Sequence, residues 1–313
     1  MGRARRPEAK ATRERDDDDR GRGVGVGDVG ERVSSVHRTH GRVRGGVLRE
    51  VFWILGAGVR SVRARADAGD GDGDGTGTGR DGSGFDFARA RCVKIENCKY
   101  SRAATLGDVV RVRSTATRVE KGEATLRQEI VSADDEETVF LVADVTYGVV
   151  DDSDSNVNVA SLECPFAASE GATTDVRLFR NERSLGSSCS HVDALRFFER
   201  GRTDAIGGPD ALSELKETFG VVVVVSRLEA RFAERITSSA DASTIPDWTV
   251  ASSVEMKRRG IQIVFHQSLV TDDGACVGYA AITCTCLDGV SMRPISCPEA
   301  LVERFAPFTI SSP

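Results

Sequence analysis

The sequence predicts an α+β fold in which one strand pattern is used twice, preceded by a low-complexity segment. Residues 1–90 are dominated by Arg, Gly and Asp. From residue 91 onward, apolar β-branched residues alternate with polar ones between turn signals, which is typical of half-buried antiparallel strands. The same strand order returns in the C-terminal half, where a helix pattern precedes it. A repeat of this kind indicates one folding unit used in tandem.

The first 90 residues lack the composition of a folded domain. They contain an acidic run at 16–19 and a Gly/Asp/Thr-rich stretch at 68–79. Such a segment buries too little apolar surface to offset its ordering entropy, so we expect residues 1–90 to be mostly disordered. We divide the rest into a partial first unit at 91–165 and a second unit at 172–313.

Composition excludes several classes of function. A net charge of -6 over 313 residues gives no broad basic field, so a nucleic-acid partner is not expected. No apolar stretch reaches the roughly 18 residues that span a bilayer. The eight cysteines form no Cys-x-x-Cys pair and have no nearby His, so we predict no metal site and no cofactor. Reduced thiols favour an intracellular compartment, whose identity the sequence leaves open.

Two sets of four strands carry the repeat. They are predicted at 92–101, 109–119, 124–133 and 139–150, and again at 221–233, 248–257, 261–271 and 276–287. Residues 128–131 (QEIV) correspond to 267–270 (QSLV), and residues 143–146 (ADVT) correspond to 280–283 (AAIT).

Only the second copy has a predicted strand and helix before its four strands. A leading strand is predicted at 174–182 and a helix from 192 to about 206. The spacing of Ser190 and Asp193 predicts a capping box at the helix start, and Gly207 is predicted to end the helix. Pro209 suits the first turn of a second, short helix. The buried face of the first helix is predicted from the spacing of Val192, Leu195 and Phe198.

Two segments carry a family resemblance. Residues 191–200 (HVDALRFFER) resemble the central-helix signature of hotdog thioesterases of the 4-hydroxybenzoyl-CoA thioesterase type, and residues 104–110 (ATLGDVV) resemble the family's Leu-Gly-Asp turn. The resemblance implies tandem hotdog folds, in which a curved antiparallel sheet wraps around a central helix. It also implies that hotdog units pair, here internally or in a homo-oligomer, with active sites at their interface. The implied substrate is an acyl-CoA or an acyl-carrier-protein thioester.

The implied chemistry selects five candidate site residues. Thioester hydrolysis needs donors for the carbonyl oxygen and a group that attacks or activates water. The amides around Ser190 and His191 lie at the helix start, where such donors are found. Aligning His191 with the family's His places Ser184 where the catalytic Asp would stand and Gly186 in the adjoining turn. Glu199 is the next carboxylate along the helix. The candidates are therefore Glu199, Ser184 and His191 for catalysis, and Gly186 and Ser190 for substrate binding.

Each candidate also has a plainer interpretation. Ser184 has no evident base beside it, so its interpretation as a loop or turn residue is favoured. Glu199 reads as a polar residue on a solvated helix face, and His191 as part of the helix start. Asp193 is expected to serve the cap, and His266 to be a packing histidine.

These departures leave a second function open. The alternative is a degenerate second unit that lacks the catalytic Asp, which would make the chain a non-catalytic acyl-binding or scaffolding protein. A hydratase is set aside, because residues 107–110 (GDVV) lack the Asn, Pro and His of the hydratase motif.

The lack of a predicted strand and helix before the first set of strands has one further explanation. The codons of residues 41–57, read in a frame shifted by one nucleotide, can encode a peptide that begins Asp-Ala-Tyr-Gly and ends Phe-Leu-Glu-Arg. That peptide resembles the family's Asp-x-x-Gly segment and the helix after it, which the first unit lacks. The N-terminal segment is therefore hypothesised to contain a mis-predicted coding stretch.

Overall fold

The computed structural model describes residues 31–33, 85, 90–104, 108–120, 122–149, 162–163, 171–176, 190–233, 248–271 and 274–310. The strands are β1 (Glu31–Val33), β2 (Ala90–Tyr100), β3 (Val110–Glu120), β4 (Glu123–Ser132), β5 (Val139–Val149), β6 (Ala172–Val176), β7 (Val221–Phe232), β8 (Trp248–Lys257), β9 (Gln262–Val270) and β10 (Cys276–Asp288). The helices are α1 (His191–Ile206), α2 (Pro209–Phe219) and α3 (Glu299–Phe305), followed by a 3-10 turn at Ala306–Phe308.

All eight strands of the predicted repeat are present, each with its ends within two residues of the prediction. The leading strand of the second half is confirmed as β6, and the remainder of its predicted span lies outside the described residues. The predicted helix is also confirmed, as α1.

The strands form one ten-stranded sheet in which every neighbouring pair is antiparallel. Its order is β1-β3-β4-β5-β2-β7-β10-β9-β8-β6. Read outward from the central pair, the two halves follow the same succession: β2, β5, β4, β3 and β1 on one side, and β7, β10, β9, β8 and β6 on the other. At the β2–β7 junction, Ile95 lies opposite Ala230, and Cys98 lies opposite Leu228.

Strand β1 was not predicted from the sequence. It lies within the segment expected to be mostly disordered, and it pairs with β3, placing Glu31 opposite Val112. It holds the place in the first half that β6 holds beside β8 in the second. Three residues are too few to show a period-2 pattern, which is why sequence reasoning assigned the first half no leading strand. Residues 41–57 lie outside the described residues.

Helix α1 packs on one face of the second-half strands. It contacts β6, β8 and β9, and the Phe197 and Trp248 rings meet edge to face with centroids 5.6 Å apart. Gly201 lies where the sheet comes closest: a Cβ atom there would be 2.6 Å from Val250 Cγ1. The helix therefore sits directly on the sheet, and its buried face contributes to the core.

The ends of α1 and α2 follow the predicted signals. Gly207 ends α1 with a left-handed φ of 114°, and its N–H donates to the Asp204 carbonyl at 2.8 Å. Pro209 begins α2, and Gly220 ends it with φ of 63°. Glycine adopts these positive φ values without the steric cost that a Cβ would add.

Helix α3 was not predicted. Its seven residues bury Leu301 and Phe305, and the Phe305 ring meets Phe265 of β9 edge to face with centroids 5.6 Å apart. One buried pair four residues apart is too short a signal to separate a helix from a loop. None of the helices that the structure describes is long and apolar enough to cross a membrane.

Candidate functional site at the start of α1 and the junction of the two halves

The start of α1 is held by the predicted capping box. The Ser190 N–H donates to Asp193 Oδ2 at 2.9 Å, and the Ser190 hydroxyl donates to the same oxygen at 2.7 Å. In return, the Asp193 N–H donates to Ser190 Oγ at 3.3 Å. The other Asp193 oxygen accepts from Arg196 Nη1 at 3.1 Å. The cap interpretation of Asp193 is confirmed: this buried carboxylate fixes the helix start.

The cap limits how the helix start can bind a ligand. Because the Ser190 N–H is used within the cap, Ser190 orients the first turn of the helix. The positive end of the helix dipole remains at this point. His191, the first helical residue, is half-buried, and its ring lies 6.2 Å from that of Phe232 at the end of β7.

The structure does not bring the candidate residues into one cluster. Glu199 is half-buried eight residues after His191, which the helical rise places roughly 12 Å farther along the axis. His191 and Glu199 therefore cannot share a hydrogen bond. Ser184 and Gly186 lie outside the described residues.

A buried arginine, which sequence reasoning missed, follows Glu199 on α1. Arg202 is 6% exposed, and its Nη1 donates to Gln267 Oε1 at 2.9 Å. Gln267 Nε2 in turn donates to Ser252 Oγ at 2.9 Å. Burial lowers the pKa of Arg202, while Cys284, Glu199 and Tyr100 act in the opposite direction. An arginine with charged neighbours in sequence predicts an exposed helix face, so the sequence gave no sign that Arg202 is buried.

The second missed residue is Tyr100, at the end of β2. Strand β2 belongs to the first half, yet it contacts α1 of the second half. The Tyr100 hydroxyl is buried and lies beside the Cys98 thiol. Burial raises its pKa well above the ordinary value; the neighbouring Cys98 thiol and the Glu199 carboxylate raise it further, whereas Arg202 lowers it. This position is visible only once β2 is known to lie beside β7.

The first half contains a polar pair that matches Gln267 and Ser252. Gln128 is fully buried, and its Nε2 donates to Ser114 Oγ at 3.3 Å. In each half the glutamine lies directly opposite the serine on the neighbouring strand. The Gln128 carbonyl accepts from the Tyr147 hydroxyl at 3.4 Å, whereas the Gln267 carbonyl accepts from Arg202.

His266 packs within the sheet, as predicted. Its Nδ1 lies 3.0 Å from the Tyr279 hydroxyl, and its Nε2 lies 3.3 Å from Glu255 Oε2. Both ring nitrogens are thus engaged by side chains from the strands on either side. Within the described ranges, no three His, Cys, Asp or Glu side chains are grouped so as to hold a metal ion.

Comparison with solved structures identifies the fold. The 12:0-ACP thioesterase from Umbellularia californica matches with a TM-score of 0.54 at 12% identity, covering 79% of this chain and 89% of that one. The fold is of the hotdog type. The DHNA-CoA thioesterase from Staphylococcus aureus matches at 16% identity and a TM-score of 0.36, covering 43% of this hotdog chain and 88% of its own. The tesB protein from Mycobacterium avium subs paratuberculosis matches at 11% identity and a TM-score of 0.40, covering 64% and 79%.

No protein-family model and no curated protein matches this sequence. The structural likeness, at these identities, shows the fold alone.

Proposed function

We propose that the chain hydrolyses acyl thioesters, with acyl-CoA or acyl-carrier-protein thioesters as substrates and two hotdog units paired internally. The observation that carries the proposal is the match to the 12:0-ACP thioesterase, which extends over 79% of this chain and so includes strands from both halves. Thioester hydrolysis is the activity that the name of that protein states.

The tandem arrangement is supported by repeated detail as well as by strand order. Each half has the same succession of strands outward from the junction. The buried pairs Gln128–Ser114 and Gln267–Ser252 occupy matching register positions. A buried amide needs specific partners, so its recurrence with the same partner type favours one unit used twice.

The chain offers two places for thioester chemistry. One is the start of α1, where Ser190 orients the first turn, His191 lies beside it, and the alignment adds Ser184 and Gly186. Asp193 is committed to the cap, so a carboxylate for this place has to come from the first unit. A second unit that is degenerate in this sense would still bind substrate through the helix start.

The other place is the junction, where Glu199 is the carboxylate. We assign Glu199 as the general base: it takes a proton from water, and the resulting hydroxide attacks the thioester carbonyl carbon. The carbon–sulfur bond then breaks, and the thiolate leaves with the proton from Glu199. No cofactor takes part in these steps.

The experiment measures thiol release from a panel of acyl-CoA and acyl-carrier-protein thioesters by the purified full chain. We expect turnover, and we expect Glu199→Gln to lower kcat/KM by about 10²- to 10⁴-fold, the usual contribution of a positioned base. Glu214→Gln, the same change at an exposed position of α2, is the matched control and should leave turnover unchanged.

The outcomes separate the two candidate functions. Unchanged turnover in Glu199→Gln would remove Glu199 from the mechanism. Binding of acyl thioesters by the wild-type chain without any thiol release would favour the non-catalytic acyl-binding or scaffolding protein, which the replacement of the family's Asp by Ser184 also suggests.

A further inference from the structure

Two buried cysteines meet where the chain folds back after β10. Cys286 lies near the end of β10, and Cys297 lies just before α3. Between them, Leu287 forms an antiparallel bridge with Pro294, and the Ile295 N–H donates to the Cys286 carbonyl at 3.0 Å. Cys297 follows Ile295 by two residues, so it is a diagonal neighbour of Cys286 across this short pairing.

Both cysteines are also held against the turn between β8 and β9. The Cys297 N–H donates to the Gly260 carbonyl at 2.8 Å, and the Cys286 N–H donates to the carbonyl of the next residue, Ile261, at 3.1 Å. Because their amides bond to consecutive residues, the two cysteines lie side by side. Their thiols are in hydrogen-bond contact, with the Cys286 thiol as the donor and the Cys297 sulfur as the acceptor.

The two thiols differ in access and in acidity. Cys297 is 8% exposed, whereas Cys286 is fully buried. The hydrogen bond from Cys286 lowers the pKa of Cys297, although burial opposes this shift; the same hydrogen bond and burial both raise the pKa of Cys286. The thiolate is the nucleophile in thiol–disulfide exchange. Cys297 is therefore the thiol that reacts first with an oxidant from solution.

Other buried thiols of the described chain have different surroundings. The Cys92 thiol donates to the Lys94 carbonyl at 3.8 Å, and the Cys276 thiol donates to the Gly278 carbonyl at 3.5 Å. Burial raises the pKa of Cys92 to about 12 and that of Cys284 to about 11. Cys92 and Cys284 therefore stay protonated near pH 7, the form that reacts slowly with disulfides.

We propose that Cys286 and Cys297 form a reversible disulfide site, at which a low-molecular-weight disulfide such as oxidised glutathione links β10 to the segment that leads into α3. The Cys297 thiolate attacks one sulfur of that oxidant, forms a mixed disulfide and releases one thiolate. Cys286 then loses its proton and attacks the Cys297 sulfur, which forms the internal S–S bond and releases the second thiolate. Two cysteine thiols are oxidised, the oxidant is reduced to two thiols, and the released thiolates take up the two protons.

The link fastens the C-terminal segment to the sheet. Helix α3 holds the end of α1, because Arg304 donates to the Ile206 carbonyl, and Phe305 packs against Phe265 of β9. Joining the two cysteines closes a short loop at 287–296, which removes conformational freedom from the unfolded chain. The oxidised chain is therefore more stable than the reduced chain.

The test treats the folded full chain with oxidised glutathione, blocks the remaining thiols with iodoacetamide in denaturant, and digests the chain without reduction. A protease that cleaves before aspartate separates residues 273–287 from residues 288–313, and Cys297 is the only cysteine of the second peptide. We expect mass spectrometry to find these two peptides joined, with fragmentation placing the link at Cys286. We expect oxidation to raise Tm by several degrees, and dithiothreitol to reverse the increase.

Two variants accompany the wild-type chain. Cys297→Ser removes the attacking thiol and should abolish both the joined peptides and the increase in Tm. Cys276→Ser, at another buried position of β10, is the matched control and should keep both. Recovery of Cys297 from the folded wild-type chain as a glutathione adduct or an unlinked thiol overturns the proposal. A link from Cys297 to Cys276 or Cys284, or a link to Cys286 that lowers Tm, also overturns it, because the folded chain would then not hold the two thiols in position. The readouts are independent of thioester hydrolysis.

Discussion

His266 shows how burial sets the charge of a single side chain. The ring lies between β8 and β10, facing Glu255 and Lys257 on one strand and Tyr279 on the other. Burial lowers its pKa below the ordinary value of 6.5; Glu255 opposes that shift, and Lys257 adds to it. The folded chain therefore holds His266 neutral at a pH where the unfolded chain begins to protonate it.

This difference predicts a pH dependence of stability. As pH falls through 6.5, the unfolded state takes up a proton at His266 before the folded state does. The free energy of unfolding therefore decreases from above pH 6.5 down to the lower pKa of the folded state, and this loss is complete below that pKa. We expect the Tm of His266→Gln to decrease less than that of the wild-type chain between about pH 7.5 and about pH 5.5. Parallel Tm profiles for the two proteins would contradict the assignment.

Arg202 and Tyr100 show what a residue's type leaves undetermined. The burial of Arg202 is compensated by its hydrogen bond to Gln267. Tyr100 lies near α1 because it is the last residue of β2, the strand of the first half that contacts this helix. Neither residue stands in a motif that predicts a site. Ser190 and Asp193, by contrast, were predictable, because a capping box involves residues only three apart in sequence.

At the scale of an element, α1 is defined by how closely it sits on the sheet. Gly201 is in the middle of the helix, where glycine is intrinsically unfavourable by roughly 0.5–1 kcal/mol relative to alanine. A Cβ at this position would lie 2.6 Å from Val250 Cγ1 and 3.0 Å from Gln267 Nε2. The close approach of β8 and β9 therefore explains the glycine.

We predict that Gly201→Ala destabilises the chain despite its better helix propensity. Overpacking a core position costs typically about 1–3 kcal/mol, which exceeds the gain of up to about 1 kcal/mol from propensity. The measurement is the free energy of unfolding in urea. Val250→Ala removes the nearest methyl groups, so the double variant should be more stable than the sum of the two single effects predicts. An increase in stability for Gly201→Ala alone would show that the sheet can move away from the helix.

The strands and helix ends were predictable for local reasons. Alternation of apolar and polar residues reports which face of a strand is buried, and Gly207 and Gly220 mark helix ends through their backbone freedom. The short elements β1 and α3 were missed, because each is held by a pairing or contact distant in sequence: β1 by β3, and Phe305 by Phe265.

The whole molecule is joined through the β2–β7 ladder. Ala230 is 2% exposed and lies opposite Ile95 at this junction. Because the two halves share a continuous sheet and one buried core cluster, unfolding one half would expose the edge of the other.

We predict that the two halves unfold in a single transition. Hydrogen exchange in urea should show amides of β4 and β5 losing protection together with those of β9 and β10. Ala230→Glu should separate the two transitions or lower the stability of both by several kcal/mol, because it places an unpaired carboxylate at the junction. Glu229→Gln, at the exposed position just before Ala230, is the matched control. Separate transitions in the wild-type chain would show that the halves fold independently.

The sequence by itself predicted the strand periods, the recurring strand pattern and the capped helix, and it carried a family resemblance that implies thioesters as substrates. These follow from short-range rules: a two-residue period, a three-residue capping distance, and motifs read within one segment. Tertiary structure alone decided that β2 lies against β7, that Arg202 is buried on Gln267, and that the Tyr100 hydroxyl lies beside α1. Periodicity states which face of a strand is buried but not which edge it pairs with, and in this chain that pairing places β2 of the first half beside β7 and α1 of the second.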